Sequence, residues 1–197
     1  MEWSKTHVYS TFHICWGAQA GLYYHYGIKK HLLDEKLFGV YPHHVDKKNT
    51  MLFRGFDDIF YVPQSRHTTF LKEDVLKVPG LEILASSEEA GIFALYKNHG
   101  RQIFITGHAE YDADTLYKEY KRDLELGKEI HKPYNYFPND VVTDSLPVTW
   151  RSSANLMFSN WLNYFVYQNT PYDITKIQIM DHEKKRTIPV QANLSGK

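Results

Sequence analysis

Cys15 is the only cysteine in the 197-residue chain, so it cannot enter an intrachain disulfide and carries a free thiol, as suits a reducing compartment. A lone cysteine is by default a small buried hydrophobe, and only its surroundings can argue otherwise. Here residues 7–14 (HVYSTFHI) mix β-branched, aromatic and polar positions, run into Cys15-Trp16-Gly17, and continue into a helix-compatible stretch ending near Leu33. Strand, tight turn and helix in that order hold a nucleophile on a strained turn at the carboxyl edge of a sheet. The next backbone N–H, that of Trp16, is then free to meet an oxyanion. A thiol of ordinary pKa, about 8.5, is only about 3% ionised at pH 7, so activation is required. A helix N-terminus and a neighbouring imidazole are the two usual sources.

The imidazole is expected from His108, in Gly107-His108-Ala109-Glu110, directly after an extended segment and directly before a helix. Residues two apart in extended chain point the same way. Glu110 can then accept a hydrogen bond from one ring nitrogen while the other faces the thiol, the arrangement of a general base worth roughly 10²- to 10⁴-fold in rate. Alone, His-x-Glu reads as a solvated loop histidine beside a capping glutamate; beside an elbow cysteine it reads as the rest of a triad. The other notable histidines, His43 and His44, read as loop residues. No Cys/His spacing matches a zinc site, and no metal role is expected.

The elements that must position these groups follow from pattern. Extended segments are predicted at residues 36–41, ending at Pro42, and at 58–62, ending at Pro63, because proline removes a ladder donor. Further strands are predicted at 81–85, 92–96 and 102–106. Leu116, Tyr120 and Leu124 recur every four residues, predicting a helix capped by Asp112 or Asp114 and closed near Gly127. Three prolines with several Asn and Asp residues make 131–147 an irregular, ordered loop. Ser152 or Ser153 opens a helix to about Gln168 whose stripe Ala154, Phe158, Trp161 and Phe165 is core packing. The chain is expected to hold one α/β catalytic portion over residues 1–173, followed by a weakly ordered polar tail over 174–197. A nucleophile strand is usually central in such a sheet, yet here no strand precedes it, and residues 1–5 read as the end of a helix. The N-terminal strands are therefore expected to be missing and the chain to be part of a longer or split protein.

Lys plus Arg and Asp plus Glu balance at 23 each, so no overall field favours nucleic acid or an anionic membrane as a partner. No apolar run approaches the roughly 18 residues of a membrane span, and the first ten residues lack a secretory apolar stretch, so a cytoplasmic address is expected.

The elbow and His-x-Glu are similar to those of the class I glutamine amidotransferase-like superfamily, although His13 stands where its usual Gly-x-Cys-x-Gly elbow has the first glycine. A much closer resemblance is to the homoserine O-acyltransferase family of methionine biosynthesis, carried by the stretches STFHICWGAQAGLYYHYGI, FRGFDD, VPQSRHT, GHAEYDADTLYKEY, KPYNYFP and TWRSSANLMFSNWLNYFVYQ. It implies the glutamine amidotransferase-like (flavodoxin-like) fold with flanking helices. It also implies that Cys15 takes an acyl group from acetyl-CoA or succinyl-CoA, with a slight tilt towards acetyl, as a thioester that the hydroxyl of L-homoserine then attacks. His108 would be the base, Glu110 its orienter, Trp16 the oxyanion donor, and Lys36, Ser65 and Arg122 the substrate contacts. Acyl-CoA is then a co-substrate and no bound cofactor is implied; a homo-oligomer stays open. Without the family match Arg122 reads as half of an i,i+3 salt bridge with Glu125. The competing readings are a glutamine amidotransferase-like cysteine hydrolase and an inactive or partner-dependent half of the acyltransferase.

Overall fold

The computed structural model describes residues 1–171 and 173; the expected polar tail lies outside the described residues. A short helix α1 (Ser4–His7) precedes β1 (Thr11–Ile14), α2 (Trp16–Tyr26), β2 (His31–Val45), β3 (Ile59–Thr69), α3 (Lys72–Leu76), β4 (Leu81–Ser87), β5 (Gly91–Lys97) and β6 (Gln102–Ile105). Helices α4 (Thr115–Glu125) and α5 (Arg151–Asn160) follow, and α5 continues as a π-helical segment, Trp161–Tyr167. The strands form one sheet in the order β1-β6-β5-β4-β2-β3; β1 and β6 are parallel, and the remaining neighbours are antiparallel. Among the described residues β1 therefore lies at a sheet edge, with β6 its neighbour.

Period-two alternation builds the layers. On β6, Ile103 and Ile105 point into a core shared with Leu52, Phe60, Phe93, Met157 and Phe165, on the face covered by α5. Phe104 points the other way, against Ala18 and Leu22 of α2 and Val75 of α3. Each such aromatic or aliphatic burial contributes roughly 1.5–3 kcal/mol before entropy is counted. A third cluster joins Phe38 and Val40 to Leu116, Tyr136, Phe137 and Trp150, fixing α4 and the irregular 131–147 segment beside β2. The expected stripe on α5 packs as predicted, with Ala154 and Phe165 buried and Phe158 and Trp161 against the same core.

Several boundaries differ from the sequence expectation. Residues 8–10 precede β1 instead of opening it. Helix α2 stops at Tyr26, not near Leu33, because Gly27 takes a left-handed conformation (φ 71°) and its N–H closes the last turn onto Leu22 and Tyr23; His31–Leu33 are already strand. Neither Pro42 nor Pro63 ends its strand. Both sit inside the β2–β3 ladder, opposite Tyr61 and Val40. Strand β3 is the sheet edge and β4 meets β2 only at His44 and Val45, so both prolines can turn their missing N–H away from the partner strand. His43 and His44 accordingly lie in β2, with His43 1% exposed, and not in a loop. Asp114 occupies the position before α4 but makes no side-chain cap; its carboxylate pairs with Lys118.

Candidate active site

Parallel pairing with β6 aims β1 at the site: the N–H of Cys15 donates to the carbonyl of Ile105, the last residue of β6, at 2.7 Å. Cys15 then turns abruptly, with φ 49° and ψ −113°, a strained conformation for a non-glycine residue, and α2 begins at Trp16. The first N–H groups of α2, beginning with that of Trp16, have no intrahelical acceptor. The Trp16 side chain itself is exposed.

His108 arrives from the other parallel strand. Its backbone N–H donates to the carbonyl of Pro63 at 2.8 Å, anchoring it to β3. Its Nδ1 lies 2.6 Å from Glu110 Oε1, and its ring stacks on Tyr111 at 4.2 Å between centroids. Burial opposes charge on His108, but its interactions with Cys15 and with the Glu110 carboxylate outweigh it and raise its pKa to about 9. The imidazolium is thus the favoured form at neutral pH. Burial and the same negative neighbourhood hold the Tyr111 phenol well above its ordinary pKa.

Next to this group lies a cleft of about 500 Å³ lined by Ser65, Tyr111, Thr115, Lys118, Glu119 and Arg122. Ser65 and Arg122 line this cleft, and Lys36, which lines a separate cavity with Asp123, is tied to them through two carboxylates, Glu119 and Asp123, that sequence reasoning missed. Lys36 Nζ is 2.7 Å from Glu119 Oε1 and 3.3 Å from Asp123 Oδ2, and Ser65 Oγ donates to Glu119 at 2.8 Å. Arg122 donates to Asp123 Oδ1 through Nε at 3.0 Å and Nη2 at 2.8 Å, and lies 3.6 Å from Glu119, so its partners are these and not Glu125. Lys36 reaches the site because the β2–β3 register slips between Leu32 and Leu37, re-aiming the strand there. Asp123 is almost fully buried. Burial opposes its charge, but Lys128, Arg122 and Lys36 outweigh that and hold it far below the usual carboxylate range. The available signal was helical spacing: Glu119 lies one turn before both Arg122 and Asp123 on α4.

The mixed sheet with its flanking helices gives the chain a glutamine amidotransferase-like α/β fold. In fold the chain is similar to a glutamine amidotransferase from Thermotoga maritima (TM-score 0.56, 20% identity, 77% of this chain and 60% of that one). It is also similar to a glutamine amido transferase from Methylobacillus flagellatus (TM-score 0.55, 15% identity, 83% and 66%). The family model described as homoserine O-succinyltransferase matches residues 1–172, and the chain belongs to that family. Relatives include proteins named homoserine O-acetyltransferase from Acetivibrio thermocellus, 58% identical over 178 residues, and from Geobacillus kaustophilus, 61% identical over 173 residues. These alignments cover 90% and 88% of this chain but 58% and 57% of the relatives, so the chain spans less than three fifths of their length.

Proposed function

We propose that this chain carries the acyl-transfer site of a homoserine O-acyltransferase acting in methionine biosynthesis in the cytoplasm, with acetyl-CoA as donor. The observation that carries this reading is the Cys15–His108–Glu110 arrangement next to a cleft with cations and carboxylates suited to a zwitterionic amino acid. The Cys15 thiolate attacks the thioester carbonyl of acyl-CoA, and the Trp16 N–H meets the oxyanion. The sulfur of CoA leaves with the proton of the His108 imidazolium, and the acyl group stays on Cys15.

Homoserine then enters the cleft. Glu119 is the acceptor for its ammonium, while Arg122, with Lys36 behind it, offers the guanidinium fork for its carboxylate. His108, now neutral, takes the hydroxyl proton as the oxygen attacks the Cys15 thioester. Collapse of the tetrahedral species releases O-acylhomoserine and restores the thiolate–imidazolium pair. Acetyl is favoured because the relatives at 58–61% identity are named acetyltransferases, although the family description reads succinyl.

Supplying the chain with L-homoserine and, in separate reactions, acetyl-CoA, succinyl-CoA or glutamine tests the reading by mass spectrometry of the small products. O-acetylhomoserine is expected. Glutamate from glutamine alone would replace this reading with a cysteine hydrolase. No product in any arm, with Cys15 alkylated no faster than a free thiol, would mark the site as inert in this chain.

A further inference from the structure

None of Cys15, His108 and Glu110 lines the cleft that Ser65, Glu119 and Arg122 help to form. Tyr111 belongs to both. It lines the cleft, and its ring lies flat on the His108 imidazole, with 4.2 Å between centroids and 16° between planes.

The backbone holds Tyr111 in that place. Its N–H donates to the His108 carbonyl at 3.2 Å, closing the tight turn that brings the two rings together, and its carbonyl accepts from Trp150 Nε1 at 2.9 Å. Trp150 is 2% exposed and belongs to the core cluster that fixes α4. His108 is anchored separately, by its N–H on the Pro63 carbonyl. Both halves of the stack are thus tied to the framework.

The phenol end is left open. A half-buried tyrosine normally finds a partner for its hydroxyl, as Tyr136 does on the Ala113 carbonyl. Among the described residues the Tyr111 hydroxyl has no such partner, and it is not one of the unpartnered polar atoms closed to solvent. It is therefore reachable by solvent, on a side chain that lines the cleft. The carboxylates of the site are already engaged, Glu119 by Lys36 and Ser65 and Glu110 by His108. Burial and these negative neighbours keep the phenol protonated at neutral pH, so it stands as a donor with nothing of the protein to donate to.

We propose that Tyr111 selects an acceptor with a side-chain alcohol: its ring is the platform for the His108 imidazole, and its phenol hydrogen-bonds the alcohol oxygen that His108 deprotonates. With the amino-acid end of the acceptor at Glu119 and Arg122, Tyr111 is the side chain that joins that end of the site to the base. A site built to hydrogen-bond a substrate hydroxyl disfavours the analogue that lacks it. The inference rests on the reading of the cleft as the homoserine site.

L-homoserine and L-2-aminobutyrate differ only in that hydroxyl. The ratio of their dissociation constants, from NMR shift titrations of the whole chain, reads the interaction without turnover. The wild-type chain is expected to favour homoserine by roughly three- to tenfold, and Tyr111→Phe to lose that preference while binding 2-aminobutyrate as before. Because the hydroxyl has no partner within the protein, Tyr111→Phe is expected to melt at the wild-type temperature. A preference that survives in Tyr111→Phe, or a wild-type chain that shows none, would overturn the role of the hydroxyl. A chain that binds neither amino acid would overturn the reading of the cleft and this inference with it.

The ring is tested on the same samples. Tyr111→Phe keeps the stack and Tyr111→Leu removes it. The titration midpoint of the His108 ring should hold in the first and fall by about half a unit in the second, where the imidazolium loses an aromatic face. An unchanged midpoint in folded Tyr111→Leu would overturn the platform. None of these readouts needs an acyl group on Cys15, so failure of acyl transfer, seen in the mass of the small products, is distinguishable from failure of this role.

Discussion

Replacing Glu110 with glutamine preserves the outline of the side chain and one possible hydrogen bond to His108 while removing the negative charge 2.6 Å from its Nδ1. His108 stands at about 9 against an ordinary 6.5 in spite of burial, a net preference for the imidazolium of roughly 3 kcal/mol. Cys15 and Glu110 share that preference. The Glu110 side chain is 42% exposed and its charge is screened by solvent, so its share is about 1–2 kcal/mol. In Glu110→Gln the His108 pKa should fall back towards its ordinary value, and the thiolate that the imidazolium supports should become scarcer. A fall of roughly one unit from about 9 leaves His108 mostly imidazolium at pH 7, so the effect is read near pH 8.5, where loss of the imidazolium is expected to slow alkylation of Cys15 by iodoacetamide about threefold. NMR titration of the His108 ring and alkylation kinetics of the same sample measure the two effects side by side. If the titration midpoint and the rate both stay at wild-type values, Glu110 does not polarise His108 and the triad reduces to a pair.

Arg122→Ala should leave formation of the acyl-enzyme near its wild-type rate while slowing transfer to homoserine by roughly 10²-fold or more, because a guanidinium in the cleft serves only the second half-reaction; equal loss in both, measured by intact mass, would contradict that role. Gly39→Ala should cost at least about 2 kcal/mol and lower the melting temperature: its φ is 147°, and a Cβ there would stand 2.4 Å from the backbone N and O of Tyr134, which cannot move aside without breaking the bridge between β2 and that loop. His43 is buried neutral with its pKa lowered to about 4, so it contributes stability that is complete above the unfolded value of 6.5 and lost as pH falls through the folded value. Denaturant unfolding between pH 6.5 and 4 should therefore show a loss approaching roughly 3 kcal/mol from this residue, and a flatter profile in a folded His43→Phe chain.

The parts of the site that sequence reading reached are local in the chain. Cys15 follows its strand and opens its helix directly, and His108 and Glu110 are two residues apart, so element order alone places them. The carboxylates it missed, Glu119 and Asp123, are joined to the named residues only by the fold. Ser65 meets Glu119 across 54 residues and Lys36 meets it across 83, through a register slip in β2 that no local pattern announces. Proline chemistry misled in a specific way: Pro42 and Pro63 end strands when the missing donor faces a neighbour, but here it can face away, so both strands run on. His43 looked like part of a polar loop because the sequence carries no sign of the phenylalanines, Phe60 and Phe93, packed against it or of the Gln64 amide beside its Nε2.

The account depends on Cys15 carrying the acyl group. Incubation of the chain with acetyl-CoA and no homoserine, followed by intact and peptide mass measurement, tests this directly. The account predicts a gain of one acetyl group on Cys15 that is absent in Cys15→Ala, slowed in His108→Ala and discharged by L-homoserine. Acetylation that persists in Cys15→Ala, or an acyl group on Cys15 that homoserine does not remove, would contradict it.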